Sequence, residues 1–222
     1  AFALGLAAAG LLPRRPAAPV PTAVATALAP ARAVVTVRDT RADSDDDDGG
    51  PAVYEGRYVN YTYGFSVELP AGMVAAGSTP PAPNHGFGID LDHPRSVEWN
   101  GRLDFPKSYV YADGSYNSAE WGGPDDAADS YLDYLREDGR NVRAQSRTPT
   151  RLAGLRAVRV VARYEEGGEQ MVSDAVFAFR RGPGGEVSAV YTLALSTPLS
   201  KYERDRPALE ALLAGWHLQP VE

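Results

Sequence analysis

Residues 155–195 contain three short stretches in which apolar side chains alternate with their neighbours, and no other part of the sequence restricts the fold as strongly. A period of two places the apolar side chains of a β-strand on one face of a sheet. The alternating residues are Val158, Val160, Ala162 and Tyr164; Met171, Ala175, Phe177 and Phe179; and Val187, Ala189, Tyr191, Leu193 and Leu195. Because glycine-rich turns at 165–168 and 181–185 separate the stretches, the sequence predicts a three-stranded antiparallel meander.

Two amphipathic segments predict helices that pack on this meander. The C-terminal segment places four apolar residues on one helix face: Leu209, Leu212, Leu213 and Trp216. The earlier segment begins at Pro124, which favours a first helical turn, and ends at Gly139. The predicted fold class is therefore α+β, with a central antiparallel β-sheet packed by helices.

Residues 141–152 lack a periodic apolar pattern, and we interpret them as an irregular lead into the meander. Arg143, Arg147 and Arg151 recur within this segment at regular spacing. We interpret that spacing as scattered surface charge rather than as an anion-binding patch. The segment therefore adds neither a strand nor a site to the prediction.

The first part of the chain differs in composition from the remainder. Residues 1–33 begin with a short apolar run and continue with Ala- and Pro-rich sequence, a pattern typical of a secretory leader. The run is shorter than the about 20 apolar residues of a transmembrane helix. Residues 34–52 are rich in aspartate, whose mutual repulsion favours disorder. We expect an export signal at 1–33, an acidic disordered linker at 34–52 and one globular domain at 53–222, in a periplasmic or secreted protein.

The overall composition excludes several kinds of partner. The 222 residues carry a formal net charge of −7 at pH 7, without the dense basic cluster that contacts nucleic-acid phosphates. The chain has no Cys, which excludes disulfide scaffolds and cysteine-ligated zinc modules. Scarce lysine beside frequent Arg, Ala, Gly and Pro indicates a GC-rich bacterial genome. We expect no nucleic-acid partner, no stable membrane span and no cofactor.

Residues 63–70, with the sequence Tyr-Gly-Phe-Ser-Val-Glu-Leu-Pro, predict one further strand. Their alternation predicts which side chains point where: Phe65, Val67 and Leu69 inward, Ser66 and Glu68 outward. This motif, followed by a helix, a late meander and a closing helix over residues 58–218, resembles the photosystem II extrinsic protein PsbP and similar exported bacterial proteins. The resemblance implies an antiparallel sheet with helices on its faces, and a binding or accessory role rather than catalysis. It supplies no ligand-binding residue that matches this sequence.

Two histidines and two aspartates lie within residues 85–93. The alternation of apolar residues predicts a strand there, with both aspartates on one face and a histidine at each end. Imidazole and carboxylate groups suit zinc, manganese or iron, so the candidate metal ligands are His85, Asp90, Asp92 and His93. An extended strand would, however, separate the two histidines by about 26 Å. We therefore favour a solvated strand face, with the metal site as the alternative.

Residues 99–121 are rich in aromatic side chains and poor in aliphatic ones. Tyr109 and Tyr111 alternate as a strand would, which also suits a place at the edge of the core. Tyr116, Asn117 and Trp121 instead fall in a loop, where large side chains lack an evident packing role. Aromatic rings stack on sugars or peptides and an amide adds directed hydrogen bonds, so all five residues form our predicted ligand-binding surface.

No catalytic motif occurs in the sequence. It lacks a nucleophile elbow, a phosphate loop, a dinucleotide fingerprint and a His-Glu-x-x-His zinc motif. The leading hypothesis is an exported, non-catalytic binding or accessory domain for a protein, cell-wall or small-molecule ligand. The rival is a hydrolase or metal-dependent enzyme centred on residues 85–93, and a purely structural cell-envelope domain is the third possibility.

Overall fold

The computed structural model describes residues 52–77, 84–96 and 107–220. Trp99, the predicted leader at 1–33 and all of the predicted linker except Ala52 lie outside these residues. Within the described part, eight strands form a large antiparallel sheet and three form a small one. None of the helices described is both long enough and apolar enough to cross a membrane.

The large sheet draws its strands from residues 53–198. Its strands are β1 (Val53–Glu55), β4 (Val74–Gly77), β5 (Gly86–Asp90), β6 (Tyr109–Ser115), β7 (Arg140–Leu152), β8 (Leu155–Glu166), β9 (Glu169–Arg181) and β10 (Val187–Pro198). The small sheet contains β2 (Arg57–Asn60), β3 (Phe65–Glu68) and β11 (Trp216–Leu218). The strand orders are β1-β4-β5-β6-β10-β9-β8-β7 and β11-β3-β2.

Two helices complete the α+β fold predicted from the sequence. They are α1 (Pro124–Asp138) and α2 (Tyr202–Ala214), and a short 3₁₀ turn (Leu199–Lys201) leads into α2. Helix α1 lies against β7, β8 and β9, whereas α2 lies against β10. The large sheet therefore has a helix on each face.

Each face of the large sheet buries its own apolar core. The first core lies between the large sheet, the small sheet and α2, and includes Tyr58, Phe65, Val110, Tyr191, Leu193, Leu209, Leu212 and Trp216. The second core lies under α1 and includes Leu132, Leu135, Val158, Val160, Tyr164, Met171, Phe177 and Phe179. Strands β8, β9 and β10 contribute the alternating residues predicted for the meander, which is confirmed.

Strand β7 corrects the interpretation of residues 141–152 as irregular. It pairs with β8 from Arg140 to Leu152, and Ala153 and Gly154, with φ of 46° and 84°, form the turn between them. Most of its side chains are exposed, so it carries no alternating apolar pattern. Backbone hydrogen bonds to β8 therefore form a strand that the side-chain pattern does not predict.

The C-terminal helix is shorter than predicted. Leu209 and Leu212 are fully buried, as expected, but α2 ends before Gly215 and Trp216 begins β11. The backbone of β11 pairs with β3, with Trp216 opposite Val67. Trp216 is therefore buried, as its apolar character predicts, but on a strand rather than on the helix.

The side chains of β3 follow the predicted alternation with one exception. Phe65, Val67 and Leu69 are buried, whereas Ser66, expected outward, is fully buried as well. The Ser66 hydroxyl accepts hydrogen bonds from Arg57 Nη2 and Gln219 Nε2, each at 2.9 Å. Because β3 is the central strand of the small sheet, side chains from both sides cover its outer face.

Candidate functional site

The four candidate metal ligands occupy β5 and its two ends, but they do not converge. Asp90 lies at the end of β5, where its Oδ1 accepts the backbone N–H groups of Asp92 at 2.8 Å and His93 at 3.1 Å. His93 Nδ1 lies 3.1 Å from Asp90 Oδ2. Asp90 and His93 therefore form a closed turn, while His85 precedes the opposite end of the strand.

Asp92 bonds with two cations of the α2 region. Lys201 Nζ lies 2.9 and 3.0 Å from its carboxylate oxygens, and Arg204 Nη2 lies 2.9 Å from Oδ1. Burial alone would raise the pKa of Asp92, but its bonds with Lys201 and Arg204 outweigh burial and lower it. Across the part of the chain that the structure describes, no three His, Asp or Glu residues are grouped as they would be to hold a metal ion.

The predicted aromatic surface divides between the sheet and a loop. Tyr109 and Tyr111 stand on the α1 side of β6 with their ring centroids 6.2 Å apart, and Tyr111 packs against the second core. Burial raises the pKa of both hydroxyl groups, that of Tyr111 most strongly. These two residues therefore fit the core-edge interpretation that their alternation suggested.

Asn117 and Trp121 form the ends of a small closed loop. Asn117 Nδ2 donates to the Trp121 carbonyl at 2.8 Å, and the Trp121 N–H donates to Asn117 Oδ1 at 3.0 Å. The Trp121 ring lies beside Phe179, with 6.4 Å between centroids, and packs against the second core. Contrary to expectation, Trp121 therefore has a packing role, and the Asn117 amide holds the loop backbone.

Tyr116 is the one member of the predicted surface whose side chain is mainly exposed, with 63% of its area accessible. Its ring meets the Tyr63 ring edge-on, with 5.1 Å between centroids. The His85 ring stacks on the same Tyr63 ring, also with 5.1 Å between centroids. We call Tyr63, His85 and Tyr116 the ring stack. The stack joins the β2–β3 turn, the start of β5 and the loop after β6.

The base of the ring stack is firmly anchored. Tyr63 is only 5% exposed, and its carbonyl accepts the Tyr191 hydroxyl at 2.6 Å. Gly114 allows this approach, because a Cβ there would lie 2.7 Å from Phe65 Cε1 and 2.9 Å from Tyr63 Cβ. The exposed ring of Tyr116 therefore rests on a rigid support.

A backbone carbonyl holds the imidazole of the ring stack. His85 Nδ1 lies 3.1 Å from the Gly114 carbonyl, which can only accept, so Nδ1 carries the proton of this hydrogen bond. Burial raises the pKa of Asp113, and the nearby His85 lowers it in part. The ring stack thus combines an exposed ring with an imidazole that a backbone carbonyl holds in place.

Sequence reasoning identified Tyr116 and His85 but assigned them to different sites, and it missed Tyr63. In the sequence Tyr63 stands out only as the first residue of the 63–70 motif, which predicts a strand and not a site. Its contacts depend on three segments that are distant in sequence and adjacent in the fold. No local sequence pattern predicts such a contact.

No protein-family model and no curated protein matches the chain. Among solved structures, the fold is similar to that of cyanobacterial PsbP from Synechocystis, with 14% identity, a TM-score of 0.49, and coverage of 78% of this chain and 95% of that one. It is also similar to LpqN, involved in cell envelope biogenesis of Mycobacterium tuberculosis, with 13% identity, a TM-score of 0.43 and coverage of 79% and 88%. A protein of unknown function from Pseudomonas aeruginosa matches at 13% identity, with a TM-score of 0.40 and coverage of 66% and 92%. These comparisons agree with the expected PsbP resemblance at the level of the fold alone.

Proposed function

We propose that this protein is an exported binding or accessory domain that recognises a sugar or peptide group of the cell envelope through the ring stack. The observation that carries the proposal is the 63% exposure of Tyr116 above a tyrosine that is only 5% exposed. An exposed aromatic ring offers a large contact area to a sugar or peptide group. Because Tyr63 is already fixed, binding orders few additional groups, which favours affinity.

A role without catalysis is supported by the way the nearby polar groups are engaged. His85 Nδ1 donates to a backbone carbonyl, and the Asn117 amide holds its own loop. At the other end of β5, Asp90 binds backbone N–H groups and Asp92 binds Lys201 and Arg204. These contacts give the rival hydrolase or metal-dependent enzyme less support than the binding domain.

The position of the N-terminus in protein recovered outside the cytoplasm tests whether the leader is cleaved on export. We expect cleavage after the apolar run, at Ala27-Leu28-Ala29 or Ala31-Arg32-Ala33, because small residues fit the signal peptidase site. Intact mass spectrometry of protein from the periplasm or medium measures the position. A Leu6→Arg variant, which interrupts the apolar run, should stay in the cytoplasm. Exported protein that retains residues upstream of Ala27 would contradict the prediction.

Binding is tested with soluble muropeptides, which carry both sugar and peptide groups. The Tyr116→Ala variant should bind them about tenfold more weakly than the wild type, the effect of losing a central aromatic contact. Its melting temperature should hardly change, because Tyr116 is exposed. Isothermal titration calorimetry measures the affinity.

Tyr134→Ala is the matched control for that experiment. Tyr134 is 58% exposed on α1, so this variant removes an equally accessible tyrosine at another site. It should bind muropeptides like the wild type. Equal weakening by both variants, or a wild-type protein that does not bind muropeptides, would refute this ligand class.

A further inference from the structure

Two arginines face each other across β7 and β8. The register pairs Arg143 directly with Arg163. Side chains directly opposite in an antiparallel pair have Cβ atoms about 4.5–5.5 Å apart, and like charges in this arrangement are destabilising. The pair therefore has an electrostatic cost that an anion bound between the two guanidinium groups would remove.

Two neighbouring arginines are neutralised by carboxylates. Arg147 bonds with Asp125 at 3.2 Å and Asp129 at 2.6 Å, and Arg159 bonds with Asp174 and Glu210 at 2.7 Å each. Arg143 and Arg163, by contrast, have no ion-pair partner within residues 52–77, 84–96 and 107–220. Their charge is available to a ligand.

The two arginines line a surface groove of about 440 Å³, which we call the arginine groove. Its lining residues are Asn141, Arg143, Gln145, Arg163 and Gln170. All five side chains carry N–H donors, as an oxyanion site requires. Glu165 is the nearest carboxylate in the register, opposite Gln170, and its Oε2 lies 3.5 Å from Asn141 Nδ2. It lies at the margin of the groove and does not pair with either arginine.

Irregularities in β7 form part of the groove. The register with β8 shifts between Arg140 and Arg143 and again between Ala144 and Ser146. Asn141 has a φ of 57°, in the left-handed region. Such bulges re-aim side chains relative to a regular strand. The groove is therefore a local feature of the backbone as well as of the side chains.

We propose that the arginine groove binds a single oxyanion group, a phosphate or carboxylate of a small ligand, between Arg143 and Arg163. Guanidinium groups hold both anions through paired N–H donors, and the neighbouring amides add further donors. The chain carries a formal net charge of −7, so this site is a local basic spot on an acidic protein. Two arginines neutralise one small anion but do not form the basic stripe that a nucleic acid requires.

The test titrates the protein with inorganic phosphate and with succinate in separate experiments. Binding is measured by NMR chemical-shift changes of the β7 and β8 backbone amides. We expect saturable shifts with at least one probe, and the tighter of the two identifies the class of anion. Arg143→Gln and Arg163→Gln should each weaken binding about tenfold, because each removes one charge-assisted contact. Without the probe, both variants should be at least as stable as the wild type, because the like-charge contact is removed.

Arg156→Gln is the control, because it makes the same change in charge on β8, the strand of Arg163. The Arg156 side chain is 82% exposed and lies 3.7 Å from Asp125, outside the groove. This variant should bind the anion like the wild type. Equal weakening in all three variants would show binding to general surface charge, and the absence of saturation with both probes would overturn the site. Neither result bears on the ring stack, which the muropeptide experiment tests separately.

Discussion

Replacement of Trp216 by alanine is expected to lower the free energy of unfolding by about 3 to 5 kcal/mol, the usual cost of removing a large buried aromatic side chain. Trp216 is 2% exposed and stacks on Phe65, with 4.6 Å between centroids and an angle of 8° between the rings. It also meets Tyr191 edge-on at 5.7 Å. The side chain thus joins the small sheet to the large one, and urea unfolding measures the loss.

Trp216→Phe separates this packing effect from the polar part of the indole. The Trp216 Nε1 group is buried and has no hydrogen-bond partner among the described residues, so phenylalanine removes an unsatisfied donor while it retains most of the stack. We expect it to cost less than half as much as Trp216→Ala. Similar losses in the two variants, or a wild-type unfolding curve for Trp216→Ala, would contradict the packing described for the first core.

Asp174→Ala is expected to cost about 3 kcal/mol, the lower end for breaking a buried ion pair. Asp174 is fully buried and accepts Arg159 Nε and Nη2, each at 2.7 Å, together with the Tyr202 hydroxyl at 2.7 Å. Its removal leaves Glu210 as the remaining ionic partner of the Arg159 guanidinium among the residues that the structure describes. Because that partner remains, we do not expect the upper end of the range. The free energy of unfolding in urea measures the cost.

The control for Asp174 is an ion pair of similar length at the surface. Asp129 lies 2.6 Å from Arg147, but its side chain is 62% exposed. Asp129→Ala should therefore cost less than about 1 kcal/mol, because water replaces much of the interaction. If the two alanine variants lost equal stability, burial would not explain the role of Asp174. If Asp174→Ala cost nothing, the network between β8, β9 and α2 would not contribute to stability.

The sequence predicts the strands of this fold in which the pattern of apolar side chains follows the geometry of the backbone. In β8 buried side chains alternate with partly or fully exposed ones, so apolar residues recur with a period of two, whereas β9 and most of β10 are buried on both faces. In β7 the side chains of Arg143, Thr148 and Pro149 are exposed, and the strand exists through pairing with β8. Trp216 shows the same limit, because its spacing from Leu209 and Leu212 fits a helix although its backbone pairs with β3.

The sequence predicts the candidate site only where the type and local context of a single residue are enough to identify it. Tyr116 is a large aromatic residue in a polar loop, and the structure shows it exposed. Trp121 has the same local context, but its ring packs near Phe179, a contact that sequence spacing does not encode. The pairing of Arg143 with Arg163 depends in the same way on the register between two strands.

Strand β7 is the last strand of the large sheet, so within residues 52–77, 84–96 and 107–220 one side of its backbone has no neighbouring strand. An edge of this kind can accept a strand from a second molecule and start a growing fibre. Pro149 has no N–H to donate there, the two register shifts bend the edge, and the positive charge of Arg143 repels another copy of the same strand. The Arg143 charge of the arginine groove therefore also protects the protein against self-assembly through this edge.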